Sequence, residues 1–446
     1  MKKQTGTNRR QFLKLGAVAG AAVGVPYFAP ASSLGFGGHV APSDRISMGF
    51  IGTGGKGRHN MVSFLGFKDV QVVAVCDVDA QQKAAALKEV SNRTGSEDCV
   101  GYGDFRELCK RDDLDAICVS TPDHWHGIAT VAALNAGTDV YCEKPLANSV
   151  AEGRAICQAA KKNNRLVQTG SHERSTPSIR FACEQVRNGR LGKLKQVRIN
   201  LPCDQQHHKR VLAQATAAPV QPVPEGLDFD MWLGHTPKVS YRPWMPDAAA
   251  QRCHFWWRFI LAYGGGEMTD RGAHVIDLAQ LGADKDATGP VEFEASGKRS
   301  TGGAFDAFFD FTFTNTYADG LKLIGTSETP RGLRFEGEDG WIFVHIHGGK
   351  LEASDAGLLD EKKANNKIDL GRSPGHHRNF IDCVKSRQQP FASAEVGHRT
   401  ATLCHLNNIA MAVGRKLKWD PVKEQILGDA EANAMLSPKM RSPWKL

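Results

Sequence analysis

The chain has 446 residues, of which 41% are hydrophobic and 23% are charged, and this balance excludes an intrinsically disordered or collagen-like protein. The formal net charge is +8, but five of the basic residues lie in the first 14 positions and no acid precedes Asp44, so about +3 remains on the rest of the chain. Because no run of lysine and arginine follows, we expect no nucleic-acid partner. The length suggests roughly two domains.

The N-terminus resembles a segment made for export. Arg9 and Arg10 precede Phe-Leu-Lys and a short apolar stretch, 15–28, that glycine and proline interrupt, and small residues follow at 29–31. This pattern is typical of a twin-arginine signal peptide rather than of a retained membrane span, which needs about 20 apolar residues. We therefore predict a signal peptide over 1–31, a linker over 32–44, the twin-arginine export machinery as a partner, a periplasmic or otherwise exported protein, and no stable membrane insertion.

The eleven cysteines contain no C-x-x-C pair, and many lie within apolar runs. This usage favours buried free thiols over a zinc site or a redox couple.

A dinucleotide-binding pattern begins at residue 45. An apolar run over 45–52 predicts a buried strand, the G-x-G-x-x-G loop follows, a helix is expected next, and a second β-branched run ends at Asp77. Glycines permit a tight turn and close approach of the backbone to a pyrophosphate, while an acid at this distance accepts hydrogen bonds from ribose hydroxyls and disfavours a 2′-phosphate. NAD is therefore favoured over NADP, although Lys56 and Arg58 keep NADP open. The loop residues predicted to bind the cofactor are Gly52, Gly54, Gly55 and Gly57.

Strands and helices continue to alternate after Asp77. "DLDAICVSTP" (113–122) and "TDVYCEKPL" (138–146) read as buried strands around a helix in "HGIATVAALNAG" (126–137). This order predicts a parallel doubly wound sheet, whose ligands lie beyond the carboxyl ends of the strands. The residues that this geometry adds to the cofactor crevice are Thr121, Pro122, His126, Glu143 and Lys144.

The second half is predicted to contain further strands, among them 193–201, 291–299, 307–316 and 321–328, with partial alternation of apolar and polar residues. Asp270, His274 and Asp277 are spaced to share one face of a helix in "TDRGAHVIDLAQLG" (269–282). From the residues alone, capping of that helix by Asp270 and a core role for His274 remain alternatives to catalysis.

The glycine loop, "STPDHWH" (120–126), "YCEKPLANSVAEG" (141–153) and "GGGEMTDRGAHVIDLAQ" (264–280) together resemble the Gfo/Idh/MocA family of sugar and cyclitol oxidoreductases. The resemblance implies an α/β fold: a Rossmann domain, predicted to span 45–165, and an α/β domain with an open, mostly antiparallel sheet, 166–430, that binds substrate and supports a homo-oligomer. The rest, 431–446, is expected to be a tail. The family resemblance also implies that Lys144, Asp270 and His274 are catalytic. It leaves open whether His274 or Lys144 accepts the hydroxyl proton.

An exported enzyme of this family would find little free NAD, so we expect the cofactor to leave the cytoplasm bound and to remain bound between turnovers. The predicted function is oxidation or reduction of a hydroxyl group on a sugar, cyclitol or glycoside. The alternatives are a redox-neutral NAD-dependent glycosidase or lyase that works through a transient keto-sugar, and a non-enzymatic NAD-binding protein. The segment "MTDRGAH" contains the Asp and His that the dehydrogenases of the family carry, which favours the oxidoreductase over these alternatives.

Four residues are candidate substrate contacts: His172, Arg174, Trp257 and Tyr263. No metal site is predicted. The pairs His207–His208 and His376–His377 have no acid or cysteine at ligand spacing and are expected in solvated loops or at helix ends.

Overall fold

The computed structural model of the chain describes residues 40–300, 303–360 and 367–446. The described residues fall into two units, one that ends at Arg45 and one that spans 46–446. The predicted signal peptide, and the predicted linker up to residue 39, lie outside the described residues. In the first unit, Pro42–Asp44 forms a 3₁₀ turn. The second unit contains the two sheets that position the candidate site.

The first sheet is parallel and has six strands in the order β3-β2-β1-β4-β5-β6. Its strands are β1 (Ile46–Ile51), β2 (Val70–Cys76), β3 (Val100–Tyr102), β4 (Ala116–Val119), β5 (Asp139–Cys142) and β6 (Val167–Thr169). Successive side chains point to opposite faces, so Phe50 enters one apolar core and Ile51 the other. Burial on both faces explains why these strands read as continuous apolar runs. The predicted Rossmann fold is confirmed.

Helices cover both faces of this sheet: α1 (Gly55–Leu65), α2 (Ala80–Thr94), α3 (Phe105–Leu108), α4 (His126–Asn135) and α5 (Val150–Asn163). Local signals set their ends. The Asp79 side chain accepts from the Gln81 N–H at the start of α2, and Gly95 ends that helix with a positive φ of 70°.

The first sheet extends past residue 165, where the sequence placed the end of the first domain. β6 pairs with β5 through Cys142 and Thr169, among others. The parallel pairing thus assigns 167–169 to the Rossmann sheet, because its partner strand lies there.

The second sheet has nine strands in the order β13-β12-β11-β7-β10-β9-β8-β14-β15, and only the β7–β10 pair among them is parallel in the described residues. Its strands are β7 (Leu194–Asn200), β8 (Glu292–Arg299), β9 (Phe308–Thr316), β10 (Lys322–Thr326), β11 (Gly332–Gly337), β12 (Trp341–His345), β13 (Leu351–Ala353), β14 (Leu417–Asp420) and β15 (Gln425–Ile426). In β9, Phe309, Phe311 and Phe313 are buried whereas Asp310 and Thr312 are exposed. The mostly antiparallel, half-buried sheet is therefore confirmed.

The remaining helices are α6 (Pro177–Arg187), α7 (Gln206–Ala213), α8 (Phe229–Leu233), α9 (Glu267–Asp270), α10 (Gly272–Gly282), α11 (His376–Ser386), α12 (Ala394–Val413) and α13 (Ala430–Ala434). Helix α12 packs against α5, α10 and β8, so it joins the two sheets. The segment expected as a tail, 431–446, also packs on the first half: the ring of Trp444 lies 4.8 Å from that of Trp125. In the described residues, no helix combines the length and the apolar character needed to cross a membrane.

Candidate active site

The glycine loop after β1 is shaped by contacts that exclude side chains. Gly52 has a φ of 81°, and a Cβ there would lie 2.7 Å from the backbone of Ser120 and Thr121. A Cβ on Gly57 would lie 2.0 Å from the Gly52 oxygen. Gly54 and Gly55, in contrast, have open space beside them and line a cavity at the start of α1. The free amides of that helix end and the open glycines fit a pyrophosphate.

Asp77 follows β2 directly and also lines the cavity. Its Oδ2 accepts from the Thr53 amide at 2.7 Å and from the Thr53 hydroxyl at 3.2 Å, and its Oδ1 accepts from the Asp79 amide at 2.9 Å. Burial raises the pKa of Asp77 above its usual value. A carboxylate has about four acceptor positions, so one remains for a ligand hydroxyl.

The cavity has a volume of about 590 Å³, which is in the range of small-molecule and cofactor sites. Both halves of the second unit line it. Thirteen of the predicted catalytic, cofactor-binding and substrate-binding residues lie on its wall: Gly52, Gly54, Gly55, Asp77, Thr121, Pro122, His126, Glu143, Lys144, His172, Trp257, Asp270 and His274.

Lys144 and Asp270 meet in this cavity from opposite halves. The Lys144 Nζ lies 2.5 Å from Asp270 Oδ1 and donates to the Asp270 backbone oxygen at 2.8 Å. Arg271 adds a second ion pair to Asp270 at 2.6 Å. Burial alone would raise the pKa of Asp270, but the charges of Lys144, Arg271 and Arg258 outweigh it and hold the pKa well below its ordinary value. Asp270 is therefore an ionised group that fixes the ammonium of Lys144.

His274 lies on α10, one turn beyond Asp270. The helix predicted over 269–282 is divided at Arg271, so Asp270 ends α9 instead of starting the helix that carries His274. The His274 Nδ1 is buried without a hydrogen-bond partner among the described residues. Burial and the charge of Lys144 hold the pKa of His274 well below its usual value, so the ring is neutral.

Glu143, the residue before Lys144, is held under the glycine loop. It accepts from Asn60 Nδ2 at 2.9 Å and pairs with Lys56 at 3.4 Å. Burial alone would raise the pKa of Glu143, but Lys56, Asn60 and Lys144 together outweigh that effect, so the pKa is lowered. His126 lies nearby with its ring nitrogens 2.6 Å and 3.0 Å from the Pro145 and Thr121 oxygens, and its neutral ring has one N–H to donate to one of them.

Two of the candidate substrate contacts do not reach the cavity wall. Arg174 is 1% exposed and pairs with Asp277 at 2.6 Å and Asp286 at 2.7 Å, because a buried guanidinium needs carboxylate partners. Tyr263 is buried against Trp232 and Trp244. Both are core residues, whereas His172 and Trp257 do line the cavity.

The paired histidines occur at helix starts, as expected, but they are not all solvated. His208 lies in the first turn of α7 and is fully buried, with Nε2 3.1 Å from Glu267 Oε2. His376 opens α11 and is buried with its Nε2 facing the Thr169 oxygen at 3.0 Å. Apolar residues pack around His208, among them Phe259 and Phe309, which is why the expected solvation is wrong there.

Asp123, Arg271 and His347 are among the residues of the cavity wall that were not identified from the sequence. Burial raises the pKa of Asp123 to about 8, although Lys144 and Arg258 lower it. His347 lies in the turn after β12 with a φ of 61°, and its ring centroid is 5.7 Å from that of His274. Asp123 lies inside the "STPDHWH" segment that carries the family resemblance, so the sequence could have indicated it as a site residue. No sequence motif marks His347, which lies in a turn.

Comparisons with family models cover nearly the whole second unit. Residues 46–171 match the oxidoreductase family model for the NAD-binding Rossmann fold, and 178–446 match the model for the C-terminal alpha/beta domain. Residues 6–26 match the twin-arginine translocation signal sequence, which supports export by that pathway.

Curated relatives align over part of the chain. A Glycosyl hydrolase family 109 protein of Solibacter usitatus is 34% identical over 164 residues, which is 36% of this chain and 37% of that protein. A levoglucosan dehydrogenase of Pseudarthrobacter phenanthrenivorans is 27% identical over 157 residues, 34% of this chain and 40% of that protein. The chain thus spans well under half the length of these relatives.

Solved structures share the fold at low identity. The aldose-aldose oxidoreductase of Caulobacter crescentus, complexed with glycerol, has a TM-score of 0.58 and 18% identity over 84% of this chain and 99% of that one. The WlbA dehydrogenase of Bordetella pertussis, in complex with NADH and UDP-GlcNAcA, has a TM-score of 0.59 and 15% identity over 84% and 99%. These structures show a shared fold, whereas the two matched family models, which span most of the second unit, show that the chain belongs to the Gfo/Idh/MocA family of oxidoreductases.

Proposed function

We propose that this protein is an NAD-dependent oxidoreductase that acts on a hydroxyl group of a sugar, cyclitol or glycoside. The observation that carries the proposal is the ion pair between Lys144 and Asp270, with His274 one helical turn away, in the same cavity as the open glycines Gly54 and Gly55. A proton-transfer group and a dinucleotide cradle in one cavity are the two parts that hydride transfer requires.

The residues fit a nicotinamide dinucleotide, which when bound supplies the hydride acceptor. The glycine loop leaves room for a pyrophosphate, and Asp77 has one acceptor position left for a ribose hydroxyl. A free 2′-phosphate would meet the Asp77 carboxylate, which favours NAD over NADP. Arg58, whose guanidinium bonds Gln82 at 2.6 Å, is the residue that would have to turn toward such a phosphate.

The protein groups divide the remaining work. Oxidation removes a hydride from the carbinol carbon and a proton from its hydroxyl. Lys144, fixed by Asp270, orients and polarises the hydroxyl oxygen, while the neutral ring of His274 takes the proton. In the reverse assignment Lys144 takes the proton, and a His274→Gln variant would then keep most of its activity.

A retained cofactor is part of the proposal. Twin-arginine export carries folded proteins, and free NAD is scarce beyond the cytoplasm, so a cofactor that dissociated at each turnover would be lost. Denaturation of protein purified without added NAD should release nicotinamide dinucleotide in near-stoichiometric amount. An empty preparation that is nevertheless active only with added NAD would overturn retention without touching the oxidoreductase assignment.

A redox-neutral glycosidase is the second candidate, and the Glycosyl hydrolase family 109 names of several relatives favour it. In that scheme the substrate is oxidised to a keto-sugar, loses the acidified neighbouring proton together with its glycosidic leaving group, adds water in their place and is reduced again by the hydride that it gave up. Aryl glycosides, sugars and cyclitols should be tested with absorbance of reduced nicotinamide and leaving-group release followed separately. Reduced nicotinamide or keto-sugar without cleavage supports the oxidoreductase, and cleavage without net reduction supports the glycosidase.

We further propose that the protein is a homo-oligomer, as the family resemblance implies. Light scattering after size exclusion measures the mass directly. A single 48.5 kDa species, or slightly less after signal removal, would contradict it.

A further inference from the structure

A second cluster of ionisable side chains lies beside the cavity: His172, Glu173 and His347. We propose that these three side chains bind a divalent transition-metal ion of the Zn²⁺ type. The inference goes beyond the proposed function, and it departs from the sequence analysis, which predicted no metal site. His347 lies far from the other two residues in the chain, so no local spacing indicates the cluster.

The three ligand atoms already lie close together. His347 Nδ1 is 2.9 Å from Glu173 Oε1, His172 Nδ1 is 3.9 Å from the same oxygen, and all three ligand atoms lie within 4.8 Å of one another. Around a tetrahedral ion with bonds of about 2.0–2.1 Å, neighbouring ligand atoms are about 3.3 Å apart. Rotation of two imidazoles by a small angle therefore converts the cluster into a His₂Glu ligand set.

Glu173 is an unusual carboxylate for its surroundings. It is 2% exposed, and no lysine or arginine of the described ranges lies within ion-pair distance of it. Buried carboxylates are otherwise rare unless a cation or a metal balances them.

The surrounding bonds hold Glu173 as outer-shell partners hold a metal ligand. The His347 backbone amide donates to Oε1 at 2.9 Å, and the Thr176 hydroxyl donates to Oε2 at 3.3 Å. These bonds fix the carboxylate while its Oε1 still faces the two rings.

The neighbouring ring supplies a second observation. His274 is 4% exposed, its Nδ1 has no partner among the described residues, and its ring centroid lies 4.7 Å from that of His172. His172 and His347 line the cavity but Glu173 does not, so the open coordination position of the ion would face the substrate. Such an ion would bind oxygens of a polyhydroxylated ligand beside His274.

A comparable cluster, His207, His208 and Glu267, serves as the matched control. Its ligand atoms also lie within 4.8 Å of one another, but Arg331 pairs with Glu267 at 3.1 Å and already neutralises the carboxylate. We therefore expect no metal there.

The test is metal binding by the full exported chain with its cofactor, after chelation and gel filtration. Zn²⁺ is measured by titration calorimetry and elemental analysis, and Co²⁺ by the visible absorption of tetrahedral cobalt. We expect one ion per chain. Removal of an outer-shell partner typically weakens a metal site by about 10–100-fold, so His347→Asn, which removes a ligand, should weaken binding by at least about 100-fold. His207→Asn should leave binding unchanged.

Thermal unfolding of both variants shows whether they are folded. Absence of stoichiometric binding by the wild-type chain would overturn the proposal. So would binding that His207→Asn abolishes and His347→Asn spares. Because the readout is binding, neither result depends on which reaction the protein catalyses.

Discussion

Lys144 is bound twice by Asp270, once by the carboxylate at 2.5 Å and once by the backbone oxygen at 2.8 Å. Two acceptors from one residue fix both the position and the direction of the ammonium group. Since Lys144 follows β5 and Asp270 ends α9, the two halves of the second unit are held in one arrangement at the point where chemistry is proposed.

Replacement of Lys144 by methionine should lower turnover by about 10²–10³-fold, because loss of one donor to an oxygen that develops charge in the transition state costs that much. Bound nicotinamide dinucleotide should remain, since Arg271 and Arg258 still face Asp270 and keep its charge balanced. Lys110→Met, which breaks an exposed pair with Glu107, is the control and should be fully active. A Lys144→Met enzyme with normal turnover would refute the assigned role.

The Arg174→Met variant tests whether Arg174 stabilises the fold or binds substrate. Removal of one partner of a buried ion pair costs about 3–5 kcal/mol, because Asp277 would be left with an uncompensated charge. The exposed pair of Arg187 with Asp284 should cost only about 0–1 kcal/mol in Arg187→Met. Urea unfolding gives both values. If Arg174→Met were as stable as wild type and raised KM instead, the substrate interpretation would stand.

The sequence was informative where function depends on local motifs. The glycine loop, the acid after β2 and the lysine after β5 all follow strand ends, and in a parallel sheet strand ends meet at one edge. It was misleading where partners come from distant segments. The sequence around Arg174 does not show that its side chain is buried, because its partners Asp277 and Asp286 are more than a hundred residues away. His347 enters the cavity through a turn that no motif marks.

Asp123 should make stability fall as pH rises. Its pKa is about 8 in the folded protein and 3.8 for the unperturbed group, so the folded state holds the proton more tightly. Between about pH 4 and pH 8 each rise in pH therefore favours the unfolded chain, by at most roughly 1.4 kcal/mol per pH unit. Asp123→Asn removes this dependence. The stability difference between variant and wild type should widen from pH 4 to 8 and stay level above, whereas a constant difference would contradict the assignment.

His405 should have the opposite pH dependence. Burial lowers its pKa to about 4 despite the hydrogen bond to the Ala147 oxygen. The unfolded imidazole takes up its proton near pH 6.5, so the contribution is present above that pH and is lost as pH falls toward 4. His405→Gln keeps a donor for Ala147 and should unfold with a shallower loss of stability between pH 6.5 and 4. Equal slopes for variant and wild type would show that His405 does not contribute.

Two glycines of the glycine loop, Gly54 and Gly57, should have different roles: Gly57 is needed for folding and Gly54 for cofactor binding. A Cβ on Gly57 would lie 2.0 Å from the Gly52 oxygen, a backbone atom that cannot move aside, so Gly57→Ala should destabilise the first sheet and lower the melting temperature by several degrees. A Cβ on Gly54 meets nothing within 4 Å but points into open space at the cavity wall. Gly54→Ala should therefore fold normally and bind NAD more weakly, because its methyl group takes room that the pyrophosphate needs. Calorimetry of melting and of NAD titration measures both variants, and a Gly54→Ala protein with unchanged NAD affinity would mean that the dinucleotide does not approach this loop.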